Sequence, residues 1–210
     1  MYKLAIFDLD GTIIDSLSDI HTSLMETLAH FNLPLFDVDK TRSLIGDGVK
    51  QLLIKSVGSE NYSQDMLEIF NKWYGINLVN KTLLIDDFHK YIHELPLLVE
   101  YSVILSNKLF YFTDKLTKYF ELESIFKSWY GGDSFPEKKP SPYPIFSILN
   151  KFNVKKHEAI IFGDNHTDIL AGLNADIATA FCEYGYGSLN NNTPKYYIPS
   201  SYDIIKLLRG

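Results

Sequence analysis

A chain of 210 residues can bury a sizeable core, either as one large domain or as one domain carrying an insertion. With 46% apolar residues, 22% charged residues and a net charge of −6, it reads as an ordinary globular protein without a broad electrostatic grip on nucleic acid. A single cysteine, Cys182, excludes an intrachain disulfide, and neither a signal peptide nor an apolar run near the ~20 residues of a membrane span is present, so the expectation is a cytoplasmic protein with no membrane partner.

The chain opens on an apolar, strand-like run, residues 4–7, that leads straight into Asp8 and Asp10, with Gly11 and Thr12 behind them. Residues i and i+2 of a strand or its extension point the same way, so the two carboxylates can share one small volume. Leu17, Ile20, Leu24, Leu28 and Phe31 then recur at helical spacing, with Asp15, Ser16 and Ser18 as alternative caps. Further helices are expected over 41–45, 49–57 and 64–79, broken by glycines at 46, 48 and 58, and no strand is expected among them. Beyond Lys81 the pattern changes. A helix ending at Pro96, a strand at 102–105, a helix at 110–120 and a short strand at 129–132 come first. A helix from Pro142, a strand at 159–162, a helix through Ile169 and Leu173, a strand at 177–181 and a closing helix at 204–208 follow. Asn190, Asn191 and Asn192 read as a loop. Alternating strand and helix over 82–210 predicts an α/β fold with a doubly wound, mostly parallel sheet.

Ligands of such a sheet bind beyond the carboxyl ends of its strands. Four strand ends carry reactive residues: Asp8 with Asp10, Ser106 with Asn107, the loop holding Lys138 and Lys139, and Asp164 with Asp168. One carboxylate can attack a phosphoryl group and a second can move the proton of the leaving alcohol. Acidic residues without His or Cys suit a hard cation such as Mg²⁺. A serine and a lysine can hold the phosphoryl oxygens. Each fragment alone has a plainer reading: Asp-X-Asp as a turn, Ser106 as a helix cap, the lysines as a solvated pair.

Four segments in order carry a resemblance. They are Phe-Asp-Leu-Asp-Gly-Thr at 7–12, Leu-Ser-Asn-Lys at 105–108, Gly-Gly-Asp-Ser-Phe-Pro-Glu-Lys-Lys-Pro at 131–140 and Phe-Gly-Asp-Asn-His-Thr-Asp at 162–168. Together they resemble the haloacid dehalogenase superfamily, in its phosphoglycolate-phosphatase-like branch. Tyr-Gly-Tyr-Gly at 184–187 and Ile-Gly-Asp-Gly at 45–48 resemble that branch less specifically. The resemblance implies a discontinuous core, 1–15 and 82–210, with an all-helical cap inserted at 16–81. It implies Asp8 as nucleophile and Asp10 as general acid/base. Mg²⁺ would be held by Asp8, the Asp10 carbonyl and Asp164, and phosphate by Gly11, Thr12, Ser106, Asn107 and Lys139. Asp168 would orient Lys139 or a metal-bound water, and His166 would be a spectator.

The implied activity is Mg²⁺-dependent hydrolysis of a small phosphorylated metabolite, with 2-phosphoglycolate as leading substrate, by a monomer or homodimer. A sugar-phosphate mutase, a pyrophosphatase or a nucleotidase on the same fold is the enzymatic alternative, and a silent interaction scaffold the non-enzymatic one. The chain departs from the branch where the cap returns to the core: Leu-Ile-Asp-Asp-Phe at 84–88 stands in place of a Pro-Gly step.

Overall fold

The computed structural model describes residues 1–85 and 88–210. Asp86 and Asp87, inside the stretch that replaces the Pro-Gly step, lie outside the described residues. In chain order, β1 (Leu4–Phe7) and β2 (Ile14–Asp15) lead into α1 (Leu17–His30), α2 (Val38–Arg42), α3 (Val49–Val57) and α4 (Gln64–Asn77), and the chain returns through β3 (Leu83–Leu84). Two short turns, α5 (Phe88–Tyr91) and α6 (Leu95–Leu98), precede β4 (Tyr101–Leu105) and α7 (Phe110–Tyr119). Then come β5 (Ser128–Tyr130), α8 (Tyr143–Phe152), β6 (Ala159–Gly163), α9 (His166–Ala175), β7 (Ala178–Cys182), β8 (Tyr196–Ile198) and α10 (Ser201–Arg209).

The main sheet has six strands, all parallel, in the order β5-β4-β1-β6-β7-β8. Its central strands are continuous apolar runs because both faces are covered. Leu4 and Ile6 pack with Val103, Leu105 and Ile161 beneath α8 and α9. Ala5 and Phe7, one residue out of phase, join Ile104, Ile160 and Phe162 in the larger core on the opposite face. Phe7 stacks on Phe162 at 4.9 Å and meets Phe126 edge-on at 5.6 Å.

Register decides where the reactive residues emerge. Phe7 lies opposite both Ile104 and Phe162, so Asp8, Ser106 and Asp164 leave the sheet at one edge. The ladder continues under two of them: Asp8 donates its N–H to Phe162 O at 2.9 Å and Ser106 to Tyr130 O at 3.0 Å.

Several boundaries differ from the sequence expectation for local reasons. Asp37 caps α2 by accepting from Lys40 N at 2.9 Å, which starts that helix earlier than 41. The predicted helix ending at Pro96 is broken sooner, into α5 and a 3₁₀ turn; Pro96 instead sits in the first turn of α6, where a missing N–H costs nothing. β8 and the β2–β3 ribbon were not expected; strands of two or three residues carry too little alternation to read. No helix among the described residues is long and apolar enough to cross a membrane.

The helical insert between β2 and β3 is tied at its neck. β2 and β3 pair antiparallel, Ile14 opposite Leu84. Beside them the Asp19 carboxylate of α1, 1% exposed, accepts from Lys81 N, Thr82 N and Thr82 Oγ1 at 2.7–3.1 Å. One buried side chain thus fastens the departing helix to the returning chain. Asp19→Ala strands two backbone donors and a hydroxyl, and is expected to lower unfolding free energy by roughly 3 kcal/mol. Urea titration at fixed pH checks this, and a loss under about 0.5 kcal/mol, the range of neutral surface changes, would contradict the clamp.

Candidate active site

Asp8 lies one residue past β1, with Lys139 Nζ 2.8 Å from its Oδ1. The same ammonium donates to Asp168 Oδ1 and to Leu105 O, each at 2.5 Å, so one buried cation ties both carboxylates to the end of β4. Asp168 is itself fixed as a cap: its Oδ2 accepts from Asn165 N at 3.1 Å, and Asn165 Oδ1 accepts from Thr167 N at 3.3 Å, which closes the start of α9. Asp164 is held from the other side, its Oδ2 accepting from Tyr186 N at 3.0 Å and Gly187 N at 2.9 Å. Gly11, at φ +80°, packs so closely on the Asp164 carboxylate that a Cβ would collide with it.

These contacts crowd carboxylates. Asp8, Asp164 and Asp168 can each turn one oxygen to within 4.8 Å of the others, a set suited to a hard divalent cation. Burial and the Asp168 carboxylate push Asp8 up to about 7, and Lys139 offsets only part of this. Burial, then Asp8 and Asp168, likewise hold Asp164 well above the usual carboxylate range. Burial works against the charge of Lys139, yet Asp168 and Asp8 outweigh it and keep the ammonium charged.

Asp10 is in different company. Lys108 Nζ lies 3.0 Å from its Oδ1, and Ser16 Oγ donates to the same oxygen. Ser16 stands at the N-cap of α1 but makes no capping bond; its hydroxyl serves Asp10 instead and lies 3.2 Å from Tyr186 OH. Lys108 also donates to Tyr74 OH of α4 at 2.5 Å, joining the core to the insert. Burial opposes its charge, but Asp10 and Tyr74 raise it above the ordinary lysine value.

Above the carboxylates is a cavity of about 70 Å³, lined by Asp8, Asp10 and Asp164 from the core and by Phe70, Asn71 and Tyr74 from α4. The 45–48 loop of the insert closes one side. Ile45 O accepts from Asn165 Nδ2 at 3.3 Å, Gly46 O from Asn107 Nδ2 at 3.0 Å and Asp47 O from Lys138 Nζ at 2.6 Å. His166 Nε2 stands 3.5 Å from Asp47 Oδ1, so this histidine meets the insert. Gly46, at φ +126°, leaves no room for a Cβ against Asn165.

Of the residues expected to bind phosphate, Ser106 and Asn107 line the cavity. Asn107, however, commits its NH₂ to Gly46 O and to Lys139 O at 2.9 Å, and its Oδ1 is buried without a partner. Gly11 and Thr12 are not among the residues that line the cavity, and their N–H groups donate to Ile14 O at 2.8 Å and Leu9 O at 3.3 Å, while Thr12 Oγ1 is buried without a partner. Sequence reasoning gave no role at the site to Lys108, Tyr74, Asn71 or Tyr186, and read Ser16 only as a candidate helix cap. Lys108 follows Asn107 directly, and Asn71 interrupts the apolar stripe of α4. Those were the available signals.

Residues 5–182 match the family model described as haloacid dehalogenase-like hydrolase. The chain belongs to that family. It is 34% identical to a phosphoglycolate phosphatase of Aquifex aeolicus over 98% of this chain and 96% of that one. It is 30% identical to a phosphoglycolate phosphatase of Haemophilus influenzae over 92% and 89% of the respective chains. A Haemophilus somnus crystal structure, described as a predicted phosphoglycolate phosphatase, superposes with a TM-score of 0.89 at 27% identity, covering 98% of this chain and 97% of that one.

The crowding has a pH signature. In the metal-free hydrolase Asp8 stays protonated up to about 7, whereas in the unfolded chain it ionises near its ordinary value of about 4. Between those values the unfolded state binds fewer protons, so Asp8 makes stability fall as pH rises through the window. A divalent cation relieves the folded-state repulsion, so MgCl₂ is expected to raise Tm more at about pH 7.5 than at about pH 5. Thermal scans of wild type and Asp8→Asn check this; equal increments at both pH values in wild type would contradict it.

Proposed function

We propose that this hydrolase is a Mg²⁺-dependent phosphatase that cleaves a small phosphate monoester through an aspartyl-phosphate on Asp8, with 2-phosphoglycolate as leading substrate. The observation that supports it most is the separation of charge. Asp8 shares Lys139 with Asp168, while Asp10, two residues on, has Lys108 and Ser16 as its own partners. Two neighbouring carboxylates in different electrostatic settings suit two different tasks.

In the first half-reaction an Asp8 carboxylate oxygen attacks phosphorus, the bond from phosphorus to the ester oxygen breaks, and Asp10 gives that oxygen a proton. In the second, Asp10 takes a proton from water, the water oxygen attacks phosphorus, and the bond to Asp8 breaks to release phosphate and restore the carboxylate. Ser106 Oγ accepts from Lys108 N at 3.2 Å, which leaves its O–H to donate to a phosphoryl oxygen. Lys139 contributes positive charge beside the nucleophile, and Asp168 holds it there.

The donor set fits a divalent cation. Asp8, Asp10, Asp164 and Asp168 face two buried lysines, an excess of negative charge that a doubly charged ion neutralises. Asp8, the Asp10 carbonyl and Asp164 would hold it. When bound, Mg²⁺ supplies charge neutralisation between nucleophile and phosphoryl oxygens.

Residues 16–81 act in this reading as a cap over the 1–15 and 82–210 core, and the 45–48 loop closes the site against water. The substrate assignment rests on the relatives named phosphoglycolate phosphatase and on the small cavity. A free, buried Cys182 agrees with a cytoplasmic setting.

Phosphate release from a panel of small esters tests the reading. Turnover is expected to require Mg²⁺, to be highest for 2-phosphoglycolate and to fall to background in Asp8→Asn. Asp10→Asn is expected to lose roughly 10²- to 10⁴-fold in kcat, the usual share of general acid–base catalysis. No turnover of any ester by wild type would refute the phosphatase assignment, and a clear preference for hexose phosphates or nucleotides would refute the substrate.

A further inference from the structure

Beside Asp10 the cavity carries donors whose hydrogen-bonding capacity the phosphoryl chemistry does not exhaust. Lys108 is the one cation among the described residues that line it, with a side chain 7% exposed. Its ammonium has three N–H groups; Asp10 and Tyr74 account for two, and the third has no acceptor among the described residues. Asn71, one turn before Tyr74 on α4, makes no side-chain hydrogen bond among the described residues, and its Oδ1 is buried without a partner. A buried amide left unpaired costs stability unless something else engages it. Because neither end is committed, Asn71 is free to turn its NH₂ toward an acceptor. Asn107 is not, since both of its N–H bonds are spent.

The remaining wall contains Val49, Leu52, Phe70 and Phe112, which offer nothing to sugar hydroxyls. The volume of about 70 Å³ is far below the roughly 300 Å³ at which pockets start to take drug-sized ligands. The occupant is therefore short, and the end facing Lys108 and Asn71 accepts hydrogen bonds and carries negative charge.

Building on the phosphatase assignment, we propose that Lys108 and Asn71 form a carboxylate-binding subsite that selects phosphate esters of short hydroxy acids over uncharged esters of the same length. Lys108 supplies the charged contact through its free N–H. Asn71 adds a neutral donor from the insert, so the contact forms only when the insert is seated on the core. Tyr74 holds the ammonium in place and does not touch the ligand.

The test compares kcat/KM for 2-phosphoglycolate with that for ethyl phosphate, which has the same chain length and no carboxylate. Wild type is expected to favour the acid. Lys108→Met is expected to lower the ratio of the two values by roughly 10- to 100-fold, the range for a hydrogen bond to a charged group. Loss of the Asp10 partner slows both esters and cancels in that ratio. Asn71→Leu is expected to lower the ratio through KM for the acid while raising Tm, because it removes an unpaired buried amide. That variant breaks no existing bond and keeps the test sound if Lys108→Met misfolds. Turnover of both esters with no preference in wild type, or an unchanged ratio in Asn71→Leu and in folded Lys108→Met, would overturn the subsite and leave the phosphatase assignment standing. Failure of wild type on both esters would remove the assignment together with the subsite.

Discussion

Too many carboxylates meet beyond the ends of two neighbouring parallel strands, β1 and β6, and much of the molecule is arranged to keep them there. Asp8, Asp164 and Asp168 lie close enough to share one ion, while Asp10 stands two residues from Asp8. Burial first, and the neighbouring carboxylates second, disfavour ionisation, which is why Asp8 rises to about 7 and Asp164 rises with it. Each carboxylate is restrained separately: Asp8 and Asp168 by Lys139, Asp164 by the backbone of residues 186 and 187, and Asp10 by Lys108 and Ser16. Remove one restraint and the remaining charges have no reason to stay together.

The helical insert belongs to the same arrangement. Its neck is fixed by Asp19 and the β2–β3 ribbon, and its 45–48 loop gives carbonyls to Asn107, Asn165 and Lys138, residues that adjoin the crowded carboxylates. Tyr74 reaches Lys108 from α4, so the lysine that partners Asp10 is buried only while the insert is in place. The contact of the insert with Lys108 and the pairing of Lys108 with Asp10 are therefore linked through one buried ammonium.

Most of the core was legible in the sequence because buried parallel strands are continuous apolar runs. Residues 4–7, 102–105 and 159–162 each lead into a reactive residue, and the pairing register brings Asp8 to within one step of Ser106 and Asp164. The convergence of Asp8, Lys139, Asp164 and Asp168 followed from the order of the motifs. What stayed hidden depends on contacts distant in sequence. Asp19 reads as one more polar residue on an amphipathic helix until Lys81 and Thr82 are seen to fold back onto it. Lys108 meets a tyrosine 34 residues away, and spacing along the chain gives no hint of that. Gly11 and Thr12 were read as phosphate ligands because their motif sits at the site, but the tight turn uses their N–H groups internally.

The central claim is that Asp8, and not Asp10, carries the phosphoryl group. The most direct test is a rapid acid quench of Asp10→Asn with Mg²⁺ and 2-phosphoglycolate, followed by peptide mass spectrometry. The account predicts a phosphorylated, hydroxylamine-labile peptide bearing the modification on Asp8, absent when Asp8→Asn is added. Phosphate found on another residue, or steady turnover by Asp8→Asn with no covalent intermediate, would contradict it.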